Sequence, residues 1–370
     1  MKLCHVVYIP RFSGAEILVR NLAIQHCSEG HEIAVIAVMP AESSFAIVQQ
    51  DLSAVGVLLN FPANSLNKWE RLRFLAEALK QFSPDVIFAH AVIPSFYTRY
   101  AVRLAGLNNI PVVSVLHDAS QDDYASPYFR FLEKWLAPPP AAIVAVSQTA
   151  VENYRQCIRS DVATQVIANG IQLEAFKQQF DRTQARQEIF KVDADQVVFL
   201  QVGRISATKQ QHYSLEAFAA AVKTFNVSGK LCFAGLIEDK AYEAELKLKA
   251  VQLGMIDRVL FLGARPDVPK LLAAADVYLM PSLFEAHSVA FIEALASGIP
   301  IIASNIASFQ FGAKFPGVWL VGLNQVDEFV SAIVQTSGNP QRWQRDLSAY
   351  SIEKTSSSYL EISKSLASIR

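Results

Sequence analysis

The chain has 370 residues, enough for two or three domains. Hydrophobic residues make up 52% and charged residues 18%, which provides for a large buried core and excludes wholesale disorder. The net charge of −1 gives no general attraction to nucleic acid or anionic membrane, and Cys4, Cys27, Cys157 and Cys232 fit no metal-ligand spacing, which leaves reduced core thiols of a cytosolic protein.

"MKLCHVVYIP" carries one lysine and an apolar run stopped by Pro10. That run is too short for a secretory core and predicts a first strand over 2–9. No uncharged apolar run approaches the ~20 residues of a membrane helix, so any membrane contact is expected to be peripheral. "PRFSGAE" then opens a helix over 15–29 that ends at Gly30. Ser13 with Glu16 three residues on predicts a capping box, and Gly14 lets a backbone approach a ligand closely. A plain helix cap and a ligand contact both fit this loop. "HEIAVIAV" is a strand, and "KWERLRFLAEALKQF" an amphipathic helix. "DVIFAH" and "IPVVSVLH" are short buried strands ending at His90 and His117. The run Pro138, Pro139 and Pro140 is a rigid spacer that stops the preceding helix. "AAIVAVS" is a further strand, and Ser147 caps a helix reaching Gln156. Near-continuous apolar strands between helices predict a parallel sheet covered on both faces.

Asn169 and Gly170 in "VIANGIQ" form a turn signal, and the polar stretch 172–195 marks a boundary. The second half repeats the pattern. Its strands are "QVVFLQVG", "KLCFAG", "RVLFLG", "DVYLM" and "IPIIAS", with helices near 212–225, 242–254, 268–274 and 288–297. The tail over 342–370 is Ser-rich and helical in pattern.

Two clusters carry the chemistry. In "LMPSLFEAHSVAFIEALASGIPIIAS" a strand leads into a loop bearing Glu285, Ser288 is a good N-cap, and a helix over 289–297 ends with Gly298 and Pro300. Glu293 lies about a turn and a half inside that helix. A helix start after a strand suits a phosphate, and ionised carboxylates, which only accept hydrogen bonds, suit sugar or ribose hydroxyls. An ordinary strand–helix–strand with two solvated glutamates would read the same way. In "FLQVGRISATKQ", Arg204 and Lys209 follow a strand beside Gly203. A guanidinium fork and an ammonium point charge could converge there on one diphosphate, or simply be solvated. His117 and His90 at strand ends fit either a structural or a ligand-facing histidine.

Glu285, seven residues, Glu293, then Ala-x-x-x-Gly-x-Pro resembles the nucleotide-sugar site of retaining glycosyltransferases of family 4, which have the GT-B fold. The preceding Gly203-Arg204…Lys209 strengthens the resemblance, which extends from "SGAE" to the C-terminal helix. It implies an α/β protein with two Rossmann-like domains facing an interdomain cleft. An acceptor-binding domain would span 1–174 and a nucleotide-sugar-binding domain 175–345, with a helix in 346–370 packing back on the first. The implied catalytic set is Arg204, Lys209, Glu285 and His117. Arg204 and Lys209, with the amides of Ser288 and Val289, would meet the donor diphosphate. Glu293 would hold ribose hydroxyls, and Glu285 donor-sugar hydroxyls near the anomeric centre. Gly14, Gly203 and His287 would join the donor site, with Arg265 and the backbone of 263–266 at the nucleobase. Ser13, Gly14 and His90 would line the acceptor side. The chain departs from the family in three places: Ser13 replaces one of two glycines, Glu285-Ala286-His287-Ser288 stands for Glu-Gly-Phe-Gly, and "SNIASFQF" lacks the usual Gly-Gly…Glu. The identity of the sugar therefore stays open.

Neither Gly-x-Gly-x-x-Gly nor Gly-x-x-x-x-Gly-Lys-Ser/Thr occurs, which argues against a dinucleotide dehydrogenase and a P-loop enzyme. A GT-B sugar-nucleotide epimerase would act on the donor without an acceptor. A non-catalytic glycosyltransferase-like subunit would be expected to lose part of the Arg204, Lys209, Glu285 and Glu293 set. The expected activity is retaining transfer of a glucose-like hexose from a UDP-sugar to a glycan or lipid-linked acceptor in polysaccharide biosynthesis. The expected protein is a cytoplasmic monomer, peripheral to the inner face of the cell membrane, with no nucleic-acid partner. No cofactor or metal is expected. The one Asp-x-Asp triplet, Asp193-Ala194-Asp195, precedes its strand, Asp122-Asp123 lacks the spacing, and Arg204, Lys209 and a helix N-terminus already supply positive potential.

Overall fold

The computed structural model describes residues 1–117, 126–136, 141–158, 163–193 and 195–368. Pro138 to Pro140, Asp122-Asp123 and Ala194 lie outside the described residues. The chain divides into two compact units, Met1–Ile171 with Tyr350–Arg370, and Gln172–Ala349.

The first unit contains β1 (Lys2–Val7), α1 (Gly14–Ser28), β2 (Glu32–Ala37), α2 (Ala46–Ala54), β3 (Leu58–Asn60), α3 (Lys68–Phe82) and β4 (Val86–His90). It continues through α4 (Val92–Leu104), β5 (Val112–Leu116), α5 (Pro127–Leu136), β6 (Ala141–Ala145), α6 (Gln148–Ile158) and β7 (Ala163–Val166). The second unit holds α7 (Arg182–Ala185), β8 (Val197–Val202), α8 (Gln211–Phe225), β9 (Gly229–Ala234), α9 (Lys240–Gln252) and β10 (Val259–Phe261). It ends with α10 (Val268–Ala274), β11 (Val277–Met280), α11 (Val289–Ala296), β12 (Ile301–Ser304), β13 (Val318–Val321) and α12 (Val326–Gly338). The last helix, α13 (Ile352–Ala367), belongs to the first unit.

Each unit is built on one parallel sheet. The orders are β3-β2-β1-β4-β5-β6-β7 and β10-β9-β8-β11-β12-β13. Both are doubly wound, with the order reversing beside β1 and beside β8, and such reversals open a crevice at the carboxyl ends of the strands. The strand residues are apolar on both faces because both faces are covered. On β1, Leu3 and Val7 enter one core with α1 and α13, while Cys4 and Val6 enter another with α3 and α4.

Local chemistry explains where the helices begin and where the sequence pattern misleads. Asn67 closes a full capping box on α3, and the Ser147 hydroxyl accepts from the Ala150 amide, 3.2 Å, at the start of α6. The capping box expected at Ser13 does not form. The Ser13 hydroxyl is consumed by the Glu16 carboxylate and caps no backbone amide. The segment 342–347 forms no helix. Its guanidinium groups serve backbone carbonyls at the ends of helices and in the loops before strands: Arg342 donates to Leu272, Ala273, Ala275 and Ser297, and Arg345 to Leu295, Ile299 and Gly317. The polar stretch 172–195 folds into the second unit, where buried Arg186 pairs with Asp276 at 2.7 Å. Gly170 matters for close approach, since a Cβ there would stand 2.4 Å from the Ser351 carbonyl oxygen and from Thr355 Oγ1 at the start of α13.

Candidate functional site

In the second unit, β8 and β11 are neighbours, and the loops that leave their carboxyl ends are stitched together. Gly203 follows β8. Gly235 packs so tightly on it that a Cβ there would lie 1.8 Å from the Gly203 carbonyl oxygen. Lys209 ends a short turn of 3₁₀ helix, and its aliphatic stem passes over Gly203. Its ammonium pairs with Glu285, and both side chains are mostly buried, at 16% and 10% exposure. Ser282 Oγ donates to the same Glu285 oxygen at 3.0 Å. The backbone beneath is pinned as well. Gln201 Nε2 donates to the Lys209 carbonyl at 2.7 Å, Ser214 Oγ holds Gln201 Oε1 at 2.8 Å, and the Leu283 amide donates to the Thr208 carbonyl at 2.9 Å. Lys209 and Glu285 therefore stand on two loops that cannot move independently.

Arg204 takes a different direction. It pairs with Glu238, with more than a third of each side chain exposed. The two cations thus lie against two different carboxylates. Arg265 grips Asp267 through two hydrogen bonds, 2.7 and 2.6 Å, which hold its guanidinium charged and the Asp267 carboxyl below its usual range.

Ser288 caps α11 through the Phe291 amide, 3.4 Å, and Val289 opens the helix. Glu293 keeps some open surface but is densely walled in, and desolvation pushes its carboxyl up to about 8. Among the described residues no hydrogen bond or ion pair holds it, so nothing offsets the desolvation that favours its neutral form. His287 stacks on Phe311, ring centroids 5.1 Å apart, and burial lowers it to about 4. Tyr278, which the pattern "DVYLM" did not single out, is fully buried on β11 and donates to the Val202 carbonyl at 3.2 Å. Its phenol is raised by burial first, then by Glu293 and Glu285, so it lies within the field of both glutamates. A tyrosine inside an aliphatic strand is the one available signal, because a buried hydroxyl needs a partner.

In the first unit, Ser13 is tied to Glu16 and Gly14 begins α1. His90 is buried with both ring nitrogens engaged. Its Nε2 lies 2.9 Å from His5 Nδ1, and its Nδ1 lies 2.8 Å from His117 Nε2. His5, in the middle of "LCHVV", gave no motif signal. Burial lowers His5 to about 3 and His117 to about 4, and holds His90 well below its ordinary range, with neighbouring histidines adding to the effect on His5 and His90. All three rings are neutral at physiological pH. Among the described residues no group of three or more His, Cys, Asp or Glu side chains is arranged to hold a metal ion.

Comparison with known proteins gives the same frame. Residues 12–175 match the family described as Glycosyltransferase Family 4, and residues 181–350 match Glycosyl transferases group 1. An Escherichia coli UDP-Gal:alpha-D-GlcNAc-diphosphoundecaprenol alpha-1,3-galactosyltransferase is 28% identical over 275 residues, covering 71% of this chain and 69% of the relative. The putative glycosyltransferase EpsF of Bacillus subtilis is 26% identical over 358 residues, 92% of this chain and 89% of the relative. The crystal structure of Anabaena HepE in complex with UDP and glucose shares the fold, with a TM-score of 0.79 at 20% identity over 99% of this chain and 100% of that one.

The histidines give a pH dependence with a definite sign. All seven are shifted below their ordinary value of 6.5 in the folded chain. The unfolded chain therefore takes up protons first as pH falls. Their contribution is complete above about 6.5 and is lost as pH drops toward 4, by on the order of 1 kcal/mol per pH unit for each fully buried ring. Glu293 has the opposite sign, since a carboxyl raised from 4.5 to about 8 loses stability as pH rises through that range. The histidines outnumber it. Urea unfolding is expected to show a clearly lower midpoint at pH 5.5 than at pH 7.5, and equal midpoints would mean that the rings titrate freely in the fold.

Proposed function

The chain belongs to glycosyltransferase family 4 and is a nucleotide-sugar-dependent, retaining glycosyltransferase of GT-B fold; we propose that its donor is a UDP-hexose and its acceptor a glycan or lipid-linked sugar. The observation that carries this reading is the Lys209–Glu285 pair held on two stitched loops beside the N-terminus of α11. A diphosphate arriving there offers Lys209 a stronger, doubly charged partner. Lys209 turns to it, together with Arg204, whose exposed pair with Glu238 is weak and easily exchanged. Glu285 is then free to accept hydrogen bonds from sugar hydroxyls. The pair so becomes a latch that keeps both groups ordered until the donor exchanges with it.

In this reading the bond between the anomeric carbon and the diphosphate oxygen breaks, and the acceptor oxygen bonds to the same face of the sugar. The acceptor proton passes to the departing phosphate oxygen, and UDP leaves. Lys209, Arg204 and the amides of Ser288 and Val289 stabilise the growing phosphate charge, and no step is routed through a metal ion. His117 contacts the donor sugar, Glu293 the ribose and the segment 263–266 the base. His287 on Phe311 narrows the place next to Glu285, where the sugar is chosen. The relatives' own names differ here, with UDP-Gal in one and UDP with glucose in another, so galactose and glucose donors are both to be tried.

A lipid-linked acceptor calls for a route to the membrane surface. On α5, Tyr128, Phe131 and Trp135 are all more than half exposed and share one face, beside Lys134 and with Arg103 stacked on Trp135. The helix's acidic Glu133 is turned inward, into a buried pair with Arg99 at 2.9 Å. Exposed aromatics flanked by cations suit the interface of an anionic bilayer.

Three outcomes test this reading. A thermal-shift screen of nucleotide sugars should raise the melting temperature most with a UDP-hexose, since a ligand at a hundred times its Kd adds ~2.7 kcal/mol. With that donor, transfer should persist in EDTA, and Lys209→Ala should lose about a hundredfold or more in turnover. Near-normal turnover in that variant would remove the diphosphate assignment, and donor conversion without any acceptor would mark an epimerase. Secondly, ribose hydroxyls need the ionised form of Glu293, so UDP affinity should rise with pH toward 8 and binding at pH 7 should release a proton. Glu293→Gln should abolish the pH dependence and cost about 1.5–3 kcal/mol at high pH; calorimetry finding a flat profile in the native protein rules the role out. Thirdly, the protein should co-sediment with vesicles containing phosphatidylglycerol but not with neutral ones, and joint Phe131→Ser and Trp135→Ser changes should abolish this. Unchanged co-sedimentation of that variant would move the contact elsewhere.

A further inference from the structure

Three histidines carried by three adjacent strands, the last one residue past its strand, make a hydrogen-bonded file. His5 lies between Leu3 and Val7 on β1, His90 two residues after Phe88 on β4, and His117 two residues after Val115 on β5. Alternation along the strands puts all three on the face that carries α1 and α13. His5 and His90 are almost wholly buried, and the file runs from inside the sheet to the carboxyl edge, where His117 stands just past its strand. Neighbouring rings are stacked at 5.2 and 5.1 Å. The contacts are specific by atom: His5 Nδ1 to His90 Nε2 at 2.9 Å, and His90 Nδ1 to His117 Nε2 at 2.8 Å.

A neutral imidazole has one N–H and one bare nitrogen. Each contact needs one of each, so the file has only two wirings. In the first, every Nδ1 carries hydrogen. His5 donates to His90, His90 donates to His117, and His117 is left with an Nδ1–H directed away from the file. In the second, every Nε2 carries hydrogen and all directions reverse. The inner end decides between them. Among the described residues, His5 Nε2 is buried without a hydrogen-bond partner. The second wiring would leave an N–H unpaired there, while the first leaves only a bare acceptor. Orphaned buried donors are the rarer and costlier of the two. A free histidine side chain prefers the Nε2–H form, so the first wiring imposes on His117 the form it would not choose alone.

We infer that His5 and His90 are positioning residues that lock His117 as its Nδ1–H tautomer, so that it meets an oxygen of the bound substrate as a hydrogen-bond donor. The substrate half of this inference rests on the reading above that His117 contacts the donor sugar. One consequence is chemical. His117 Nε2 is spent on His90 and Nδ1 already bears a proton, so His117 does not take the acceptor's proton. That proton goes to the leaving phosphate oxygen.

The test reads the tautomer directly. The protein labelled with ¹⁵N-histidine, at pH 7.5 and without substrate, should show His117 with a protonated Nδ1 and a bare Nε2, assigned by loss of its signals in His117→Ala. The reverse pattern overturns the wiring, and this holds even where core variants fail to fold. In His90→Leu, His117 should revert to the Nε2–H form and turnover should fall about tenfold, the equivalent of one neutral hydrogen bond. His90→Asn, whose amide can stand where Nδ1 stood, should restore both the tautomer and most of the turnover. Undiminished turnover in a folded His90→Leu overturns the positioning role. Undiminished turnover in His117→Ala overturns the substrate contact and leaves the tautomer to stand on the spectrum.

Discussion

A polar group withdrawn from water at the end of a buried parallel strand must find its partner inside the fold or give up its charge. That constraint organises both units. Parallel strands covered on both faces are apolar along their length and bring the chain out at one edge. The polar side chains gathered at that edge are therefore crowded against hydrophobic layers, with little water to stabilise them. Lys209 and Glu285 meet the constraint by pairing. Glu293, which no cation pairs with among the described residues, meets it by a carboxyl raised toward its neutral form. His5, His90 and His117 meet it by staying neutral and bonding to one another.

These three responses differ in what they leave available. A paired charge is ordered yet exchangeable, which suits a group whose partner is to be replaced by a diphosphate. A protonated carboxyl becomes a good acceptor only on losing its proton, so what it can hold depends on pH. A file of neutral rings has direction, fixed at its buried end and read at its open end. The same desolvation thus produces an ion pair, a raised carboxyl and a file of neutral rings, according to which neighbours each group was given. The tight supports around them share this logic. Gln201 and Ser214 are themselves buried, and their hydrogen bonds hold the Lys209 loop by its backbone, leaving its side chain free to change partner.

Much of this was legible in the sequence, because the strands are continuous apolar runs and the loops between them carry the turn and cap residues. The doubled α/β pattern and the spacing of Glu285 and Glu293 were enough to suggest the GT-B fold and the family. Legibility ended where a residue's meaning depends on a distant partner. Arg204 and Lys209 read as two cations in one loop, but Glu238 and Glu285 draw them to different places. The resemblance puts Arg265 at the nucleobase, but its guanidinium is paired with Asp267. Ser13 and Glu16 have the spacing of a capping box, yet the Ser13 hydroxyl bonds to the Glu16 carboxylate and caps no backbone amide. The Ser-rich tail begins with a helical pattern, but Arg342 and Arg345 are held by carbonyls dozens of residues away. His5 and Tyr278 gave no motif because each does its work across strands, which period-two alternation cannot reveal.

The departures from the family pattern follow from the same reasoning. Where relatives of this kind carry Glu-Gly-Phe-Gly, this chain places Ala286, His287 and Ser288 after Glu285. Ala286 is buried, Ser288 supplies a side-chain cap that glycine lacks, and His287 stacks on Phe311 from the segment that also departs from the pattern. Phe311 in turn meets Phe291 of α11 edge-on, and Phe291 stacks on Phe309 at 4.6 Å. The two departures are thus one packed unit. Residues that look like separate losses along the sequence compensate each other in space: an aromatic wall built from 309–311 supports a neutral imidazole beside Glu285, in place of the bare glycine backbone the family uses. Changes at His287 and Phe311 should therefore be felt together, not one at a time.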